Sequence, residues 1–512
     1  MMKVVTGALI CLASITCVRS AKSDSATIAP PSADQATRID GVVTTEMTRR
    51  AIPGLQAVVI RHGRVVYDRA FGVADLESNR PVLPTTIFTL NSSTKAFTGV
   101  AIMQLVERGK LSLTAPASRY LPELPQAWQS VTITQLLTHV SGLPDVLNQP
   151  KGQGTGSLVG DGTEDSAWQT VTKLPVEAPA GQSYHYNQTN YVILGKIIQR
   201  VSGVPFDQFM RTNQFAPAAM RSTTFGDSRT IMPGRSRLYR YAGGSVDAAE
   251  GARSLEHAFD EFSPFIRTAG GLNASAEDVA RWLIALQNGT LLSSSSVEKM
   301  WSPGRFNNGT PTSWGMGWPL SDHGGHLVAA GIGGRRTAFF VYPQDDLAVI
   351  VLTNLAGANP EEFVDEIAGQ FIPDLLAVNG GGLPMPVKRL RLALIENGFK
   401  EPRATYEKLR QNDATFGVSE ADLNTWGGVL LDAERVDEAI AVFGLNVSLS
   451  PSSSNAHDSL GEGYEAKHAI DLAIASYAAA LALDSSNGHA NARLKVLKAK
   501  PSLSVPQSRD SR

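Results

Sequence analysis

Residues Ala96 to Val106 read as a helix that is apolar on nearly every side, and such a helix is stable only when other elements enclose it. Any fold for this chain must place that segment in its interior. Immediately before it stands Ser92-Ser93-Thr94-Lys95. One helical turn puts residues i and i+3 on the same face, so Lys95 would point at Ser92. A serine hydroxyl is a weak nucleophile until a base lies within hydrogen-bond reach, and a buried helix would hold the pair rigid and partly desolvate the lysine. The spacing alone fits a helix N-cap serine with a surface lysine equally well. The chain carries a second copy, Ser296-Val297-Glu298-Lys299, in a run of serines beside Glu298 that reads as a helix start with a solvated lysine. The surroundings must separate the two.

At 512 residues and 43% hydrophobic, the chain can bury a large core and is long enough for two or more domains. A net charge of -2, with no basic run or aromatic-interleaved basic stripe, gives no electrostatic case for nucleic acid. Lys3, the short apolar segment Val4 to Val18 and Val18-Arg19-Ser20 read as a secretory signal peptide over 1–20. About fifteen apolar residues fall short of the roughly 20 that a membrane-spanning helix needs, so no stable span is expected after cleavage. The expected location is periplasmic or secreted. Both cysteines, Cys11 and Cys17, fall within this segment, and its removal would exclude disulfides, thiol catalysis and cysteine metal sites. Ser14-Ile15-Thr16-Cys17 matches a lipoprotein site poorly, so lipid anchoring is disfavoured.

Residues 21–37, rich in Ala, Ser, Asp, Pro and Thr, read as a flexible leader, and the main domain is expected over 38–378. Leu55 to Ile60, a turn at His62-Gly63-Arg64, and Val65-Val66-Tyr67 read as a β-hairpin. Asp145 to Lys173 reads as a long polar loop without periodicity. Val279, Trp282, Leu283, Ala285 and Leu286 mark a helix, and Ala338–Tyr342 and Leu347–Thr353 mark two further strands. A linker at 379–386 leads into a helical region, 387–500, and a tail at 501–512. In that region Gly427, Leu430, Ala439 and Phe443 recur as Gly461, Tyr464, Ala473 and Tyr477, each pair 34 positions apart. The period resembles the tetratricopeptide helix pair, in which small residues let two helices touch and aromatics fill the groove. Two copies are too few to stand alone, so flanking elements must complete the packing, and the region offers a surface for a peptide or protein partner.

Six segments in order resemble the serine β-lactamase and penicillin-binding-protein superfamily, in particular its class C β-lactamase and D-stereospecific peptidase/esterase branch. They are Phe88 to Thr98, Gly109 to Leu113, Leu136 to Pro144, Ala269 to Leu272, Trp314 to Trp318 and Val351 to Asn354. The resemblance implies an α+β fold, an antiparallel sheet flanked by helices beside an all-helical subdomain, with the nucleophile between them and the tetratricopeptide-like all-α region following. It implies a tyrosine-x-asparagine motif, which falls on Tyr186-Asn187-Gln188, with Tyr186 as general base and later acid and Gln188 in the asparagine's role. The third family motif, a cation, one residue and glycine, falls on Gly331-Ile332-Gly333, where the cation is missing. His326, Arg335 or Arg336 would have to replace it, although all three also read as surface or packing residues. The Gly334 and Ser92 amides would form the oxyanion hole.

His139, within a family segment, reads as structural. No GxSxG sequence points to the α/β-hydrolase route. His323 and His326 lack the further ligands a metal site needs, and no metal or cofactor is expected. The reading is an exported serine hydrolase acting through a covalent acyl-enzyme on a small ester, amide or D-amino-acid peptide, with β-lactams less favoured. The alternative is a catalytically weak binding module whose repeats recruit a partner.

Overall fold

The computed structural model describes residues 32–148, 157–242, 254–377, 385–432 and 435–499. Strands β1 (Gly54–Arg61) and β2 (Arg64–Asp75) form the expected hairpin, with both turn residues, His62 and Gly63, at positive φ. A two-residue turn of that kind matches the right-handed twist of the strands it joins. With β3 (Arg80–Pro81), β4 (Leu320–His323), β5 (His326–Gly333), β6 (Thr337–Tyr342) and β7 (Leu347–Thr353) they make an antiparallel sheet in the order β4-β5-β6-β7-β1-β2-β3.

The central strands are buried on both faces, so alternate residues feed two separate cores. Val58, Phe339, Val341, Ile350 and Leu352 face the larger one, which contains the enclosed helix α2 (Thr94–Glu107), α3 (Thr189–Ser202) and α4 (Ala276–Gln287). Every residue of α2 from Thr94 to Leu105 is buried. Ala57, Val59, Phe340, Val349 and Val351 face the smaller core, which is closed by α1 (Ala33–Arg50) and α5 (Val364–Ala368).

Two expectations need correction. Helix α1 begins within the stretch read as a leader, because the Ser32 hydroxyl accepts the Gln35 amide N–H while the Gln35 side chain accepts from the Ser32 N–H. This reciprocal cap starts the helix, and Ile39 and Val43 then anchor it on the sheet. The stretch from Asp145 to Lys173 contains a helix, Glu164–Val171, capped by the Thr163 hydroxyl. Residues 149–156 of that stretch lie outside the described residues, as do the expected signal peptide, residues 379–384 of the linker, and the tail.

The C-terminal region consists of α6 (Met385–Glu396), α7 (Pro402–Asn412), α8 (Glu420–Asp432), α9 (Val436–Leu449), α10 (Ser454–Ala466), α11 (Ile470–Leu483) and α12 (Gly488–Ala499). Met385 and Pro386 are already helical, so the linker ends before them. The 34-residue recurrence has a steric content. A Cβ on Gly427 would lie 2.2 Å from the Phe443 ring, and one on Gly461 2.6 Å from the Tyr477 ring. In each copy the missing side chain is the space that the aromatic of the next helix occupies.

Ions fasten this region to the main domain. Glu362 accepts both Arg50, at 2.7 Å, and Arg391, and Lys388 pairs with Glu366. The two arginines hold the Glu362 carboxyl well below the usual carboxylate range despite its burial.

Candidate active site

Phe88–Thr89 pairs with Leu272–Ala274, which fixes the chain just ahead of Ser92. Asn91 follows with φ +47°, a conformation unfavourable for a side-chain-bearing residue, and a single tight turn at Asn91–Ser93 runs into α2. Ser92 is half-buried at this strand-to-helix junction. Lys95, one turn on and 1% exposed, places Nζ 3.2 Å from Ser92 Oγ and 3.0 Å from the Ala269 carbonyl oxygen. Its ammonium also lies 4.7 Å from the Tyr186 ring centre and 5.3 Å from that of Tyr191. Tyr186 Oη is 2.8 Å from Ser92 Oγ. The three residues singled out as catalytic candidates therefore meet at one oxygen, although Tyr186 is 94 positions from Ser92.

The turn bearing Tyr186 is held by the segment Leu136 to Asp145. His139 Nδ1 accepts the Asn187 backbone N–H at 3.2 Å and faces Asn190 Nδ2 at 3.3 Å, while Asn187 Nδ2 donates to the Leu143 carbonyl at 2.6 Å. The His139 ring lies 4.4 Å from that of Tyr186, with Trp314 and Tyr191 on its other sides. Burial first, and the Lys95 charge second, push the His139 pKa well below that of a free histidine. With Nδ1 accepting, the neutral ring carries its proton on Nε2, an assignment made from the hydrogen bonding. Asp145 Oδ1 accepts the Gln188 N–H at 3.0 Å. Its carboxyl is raised above the usual range by burial, which outweighs the Gln188 and Leu147 amides and Lys95. The Gln188 side chain has no hydrogen-bond partner among the described residues.

The third wall is the end of β5. Gly333 packs so closely on the turn bearing Ser92 that a Cβ there would be 1.9 Å from the Leu90 carbonyl oxygen and 2.9 Å from Ser93 Oγ. Gly334, at φ +58°, leaves 2.0 Å between such a carbon and Asn91 Nδ2. Neither the Ser92 nor the Gly334 backbone N–H has a hydrogen-bond partner among the described residues.

Gly331 is different. Its missing side chain would point at the Phe339 ring, 2.0 Å away, so it belongs to core packing and not to the substrate wall. Phe339 is locked in turn by the rings of Phe97, Trp282 and Trp318. The position of the family cation is thus filled by an aromatic cluster. The three expected substitutes are engaged elsewhere: His326 with Asp345 at 2.9 Å, Arg335 with Asn359 at 2.9 Å, and the buried Arg336 with Asp260. His323, expected not to ligate metal, is buried with Nδ1 on Asp365 and Nε2 on Ser321.

Sequence reasoning missed the parts that act through space. The Ala269 carbonyl stood in a segment already singled out, but only the fold shows that it holds Lys95. Tyr191 beneath the ammonium and Asp145 behind Gln188 carried no signal beyond lying near those segments.

An α+β architecture with Ser92, Lys95 and Tyr186 at one oxygen defines a serine hydrolase-type site of the β-lactamase and penicillin-binding-protein kind. The Beta-lactamase family model matches residues 39–372, and the chain belongs to that family. It is 31% identical over 274 residues to the "Putative penicillin-binding protein PbpX" of Bacillus subtilis (strain 168), covering 52% of this chain and 63% of that one. The chain spans just under two thirds of the length of the first curated relatives it matches. Among solved structures it is similar to the octameric penicillin-binding protein homologue of Pyrococcus abyssi, at 25% identity and TM-score 0.54, covering 69% of this chain and 81% of the other. The D-amino acid amidase of Ochrobactrum anthropi SV3, at 22% identity and TM-score 0.54, covers 67% of this chain and 99% of its own, and shares the fold.

Proposed function

We propose that this chain is an exported serine hydrolase that transfers the acyl group of a small ester, an amide or a D-amino-acid peptide to Ser92 and then to water. The observation that carries the reading is the convergence of Lys95 Nζ and Tyr186 Oη on Ser92 Oγ, at 3.2 and 2.8 Å. As Oγ bonds to the substrate carbonyl carbon, its proton passes to the Lys95 and Tyr186 pair, which accepts it in the state that carries one proton fewer than ammonium plus phenol, and the carbonyl oxygen takes the negative charge between the Ser92 and Gly334 amides. The same pair returns the proton to the departing alcohol or amine. Water then repeats the sequence on the acyl-enzyme with the roles reversed.

The substrate preference follows from Gly331. With Phe339 in place of the cation and His326, Arg335 and Arg336 already engaged, a substrate carboxylate finds no ready counter-charge. Esters and amides without a terminal carboxylate are therefore favoured over β-lactams. The names of the relatives, a penicillin-binding protein and a D-amino acid amidase, add D-amino-acid derivatives to the acyl donors worth testing. Export rests on the N-terminal sequence alone, and the helical region 387–500 is proposed to contact a peptide or protein partner.

A panel of p-nitrophenyl esters, nitrocefin and D-alanyl peptides, together with fluorophosphonate labelling, tests the reading. Turnover with an adduct at Ser92 is the expected result. Neither turnover nor adduct would leave only a binding module. Labelling that persists after removal of residues 387–512 would make the helices accessory to the chemistry.

A further inference from the structure

Behind the lysine lies a cavity that the proposed reaction does not use. It has a volume of about 340 Å³ between the face of α3 bearing Lys196 and the segment Pro264 to Thr268. That volume lies within the range of small-molecule sites. Its charges are unequally satisfied. Two carboxylates share the lining, where Glu164 accepts the Phe265 N–H at 2.8 Å and Asp207 pairs with Arg211 at 2.9 Å; outside it, Glu123 pairs with Arg200 at 2.7 Å and Asp165 is exposed. The cations have no such partners. Lys196 Nζ lies over the Trp168 ring at 4.6 Å and the Phe265 ring at 5.5 Å, and pairs with no carboxylate among the described residues. Burial lowers its pKa, against the opposing pull of Glu123, Glu164 and Asp165. Arg267 Nε is buried without a hydrogen-bond partner. Two half-buried cations facing one cavity with Phe206 and Phe265 in its lining call for an anion with an apolar body.

Both walls continue directly into the cradle of Lys95. On α3, the turn before Lys196 carries Tyr191, whose ring lies beneath the Lys95 ammonium. On the other side Thr268 is followed by Ala269, whose carbonyl accepts from Lys95 Nζ. The walls also grip each other. Thr268 Oγ1 donates to the Tyr191 carbonyl at 2.8 Å, the Thr268 carbonyl accepts from Thr98 of α2 at 2.7 Å, and a Cβ on Gly195 would lie 2.3 Å from Thr268 Cγ2. With no slack between them, a wall that shifts must move a contact of Lys95.

We propose that this cavity is an effector site for a small aromatic or branched monocarboxylate, its carboxylate meeting Lys196 and Arg267, and that occupancy resets the Tyr191 and Ala269 contacts of Lys95 and so the acylation rate of Ser92. The kinetic half rests on the serine hydrolase reading; the binding half does not.

Calorimetric titration of the full chain with 3-phenylpropionate, and with 3-phenylpropanol as the neutral control, tests the binding half. One saturable site for the carboxylate is expected, weakened about tenfold or more in both Lys196→Gln and Arg267→Gln, retained in Ser92→Ala, and not matched by the alcohol. Thermal melts of each variant report whether it is folded. The rate of fluorophosphonate labelling at saturating carboxylate should then change about fivefold or more in the native chain and lose that response in Lys196→Gln. No binding, or binding indifferent to both substitutions, overturns the site. Binding without a change in labelling rate overturns the coupling. A chain that binds the carboxylate but never labels at Ser92 overturns the hydrolase reading and leaves the site standing.

Discussion

Ser92-Ser93-Thr94-Lys95 and Ser296-Val297-Glu298-Lys299 have the same spacing and opposite surroundings. Lys95 is enclosed by α2, Tyr186, Tyr191 and the Ala269 carbonyl, whereas Lys299 is exposed near the end of a seven-residue helix whose N-cap, Ser293, accepts the Ser296 N–H. The i, i+3 spacing puts lysine and serine on one helix face in either place. What differs is whether the rest of the chain holds both groups still, excludes water and supplies a second proton carrier. The motif is therefore a statement about three distant segments more than about four adjacent residues.

The comparison breaks most sharply at the serines. Ser92→Ala should lower turnover about 10^4-fold or more and abolish fluorophosphonate labelling, while Ser296→Ala should leave both unchanged; equal losses would deny the difference in environment. At the lysines, Lys95→Met should cost about 10^3-fold in kcat and Lys299→Met should have no measurable effect, read in the same steady-state assay. The Ser296 hydroxyl meets the Glu107 carboxylate and no tyrosine among the described residues, and Tyr186→Phe should cost about 10^2-fold in kcat with the fold intact by circular dichroism.

Two further tests probe the enclosure itself. Gly331→Ala should destabilise the chain by about 2 kcal/mol in denaturant unfolding, because its methyl would overlap the Phe339 ring; a neutral result would mean that this position has room for the missing cation after all. The smallest effect is pH-dependent. His139 is held neutral, so below about pH 6.5 the unfolded chain binds a proton that the folded one refuses, and stability falls as pH drops. Wild type should lose up to about 1.4 kcal/mol per pH unit more than His139→Gln across that window, measured by unfolding at pH 6.5 and below.

Much of the framework was legible because it is local. The hairpin at His62-Gly63, the all-apolar α2 and the strands Ala338–Tyr342 and Leu347–Thr353 are each set by patterns within ten or so residues, and resemblance to a family ordered them. The start of α1 was legible too, in the spacing of Ser32 and Gln35, but the surrounding composition spoke louder for a leader. The reason for Gly331 could not be read in this way. It depends on a ring eight positions further on, across a strand pair, that three other aromatics lock in place. The cradle of Tyr186 was hidden for the same reason, since His139, Leu143 and Asp145 meet Asn187 and Gln188 only after the chain between them has folded back.

Glu362 joins Arg50 of the first helix to Arg391 of the appended helices, and it does so on the side of the sheet turned away from Ser92. The beginning of the hydrolase domain, its end and the added helices therefore share one electrostatic knot. Two parts welded in this manner should melt as one cooperative unit, and the cleft on the far side is free to diverge in specificity without disturbing the joint.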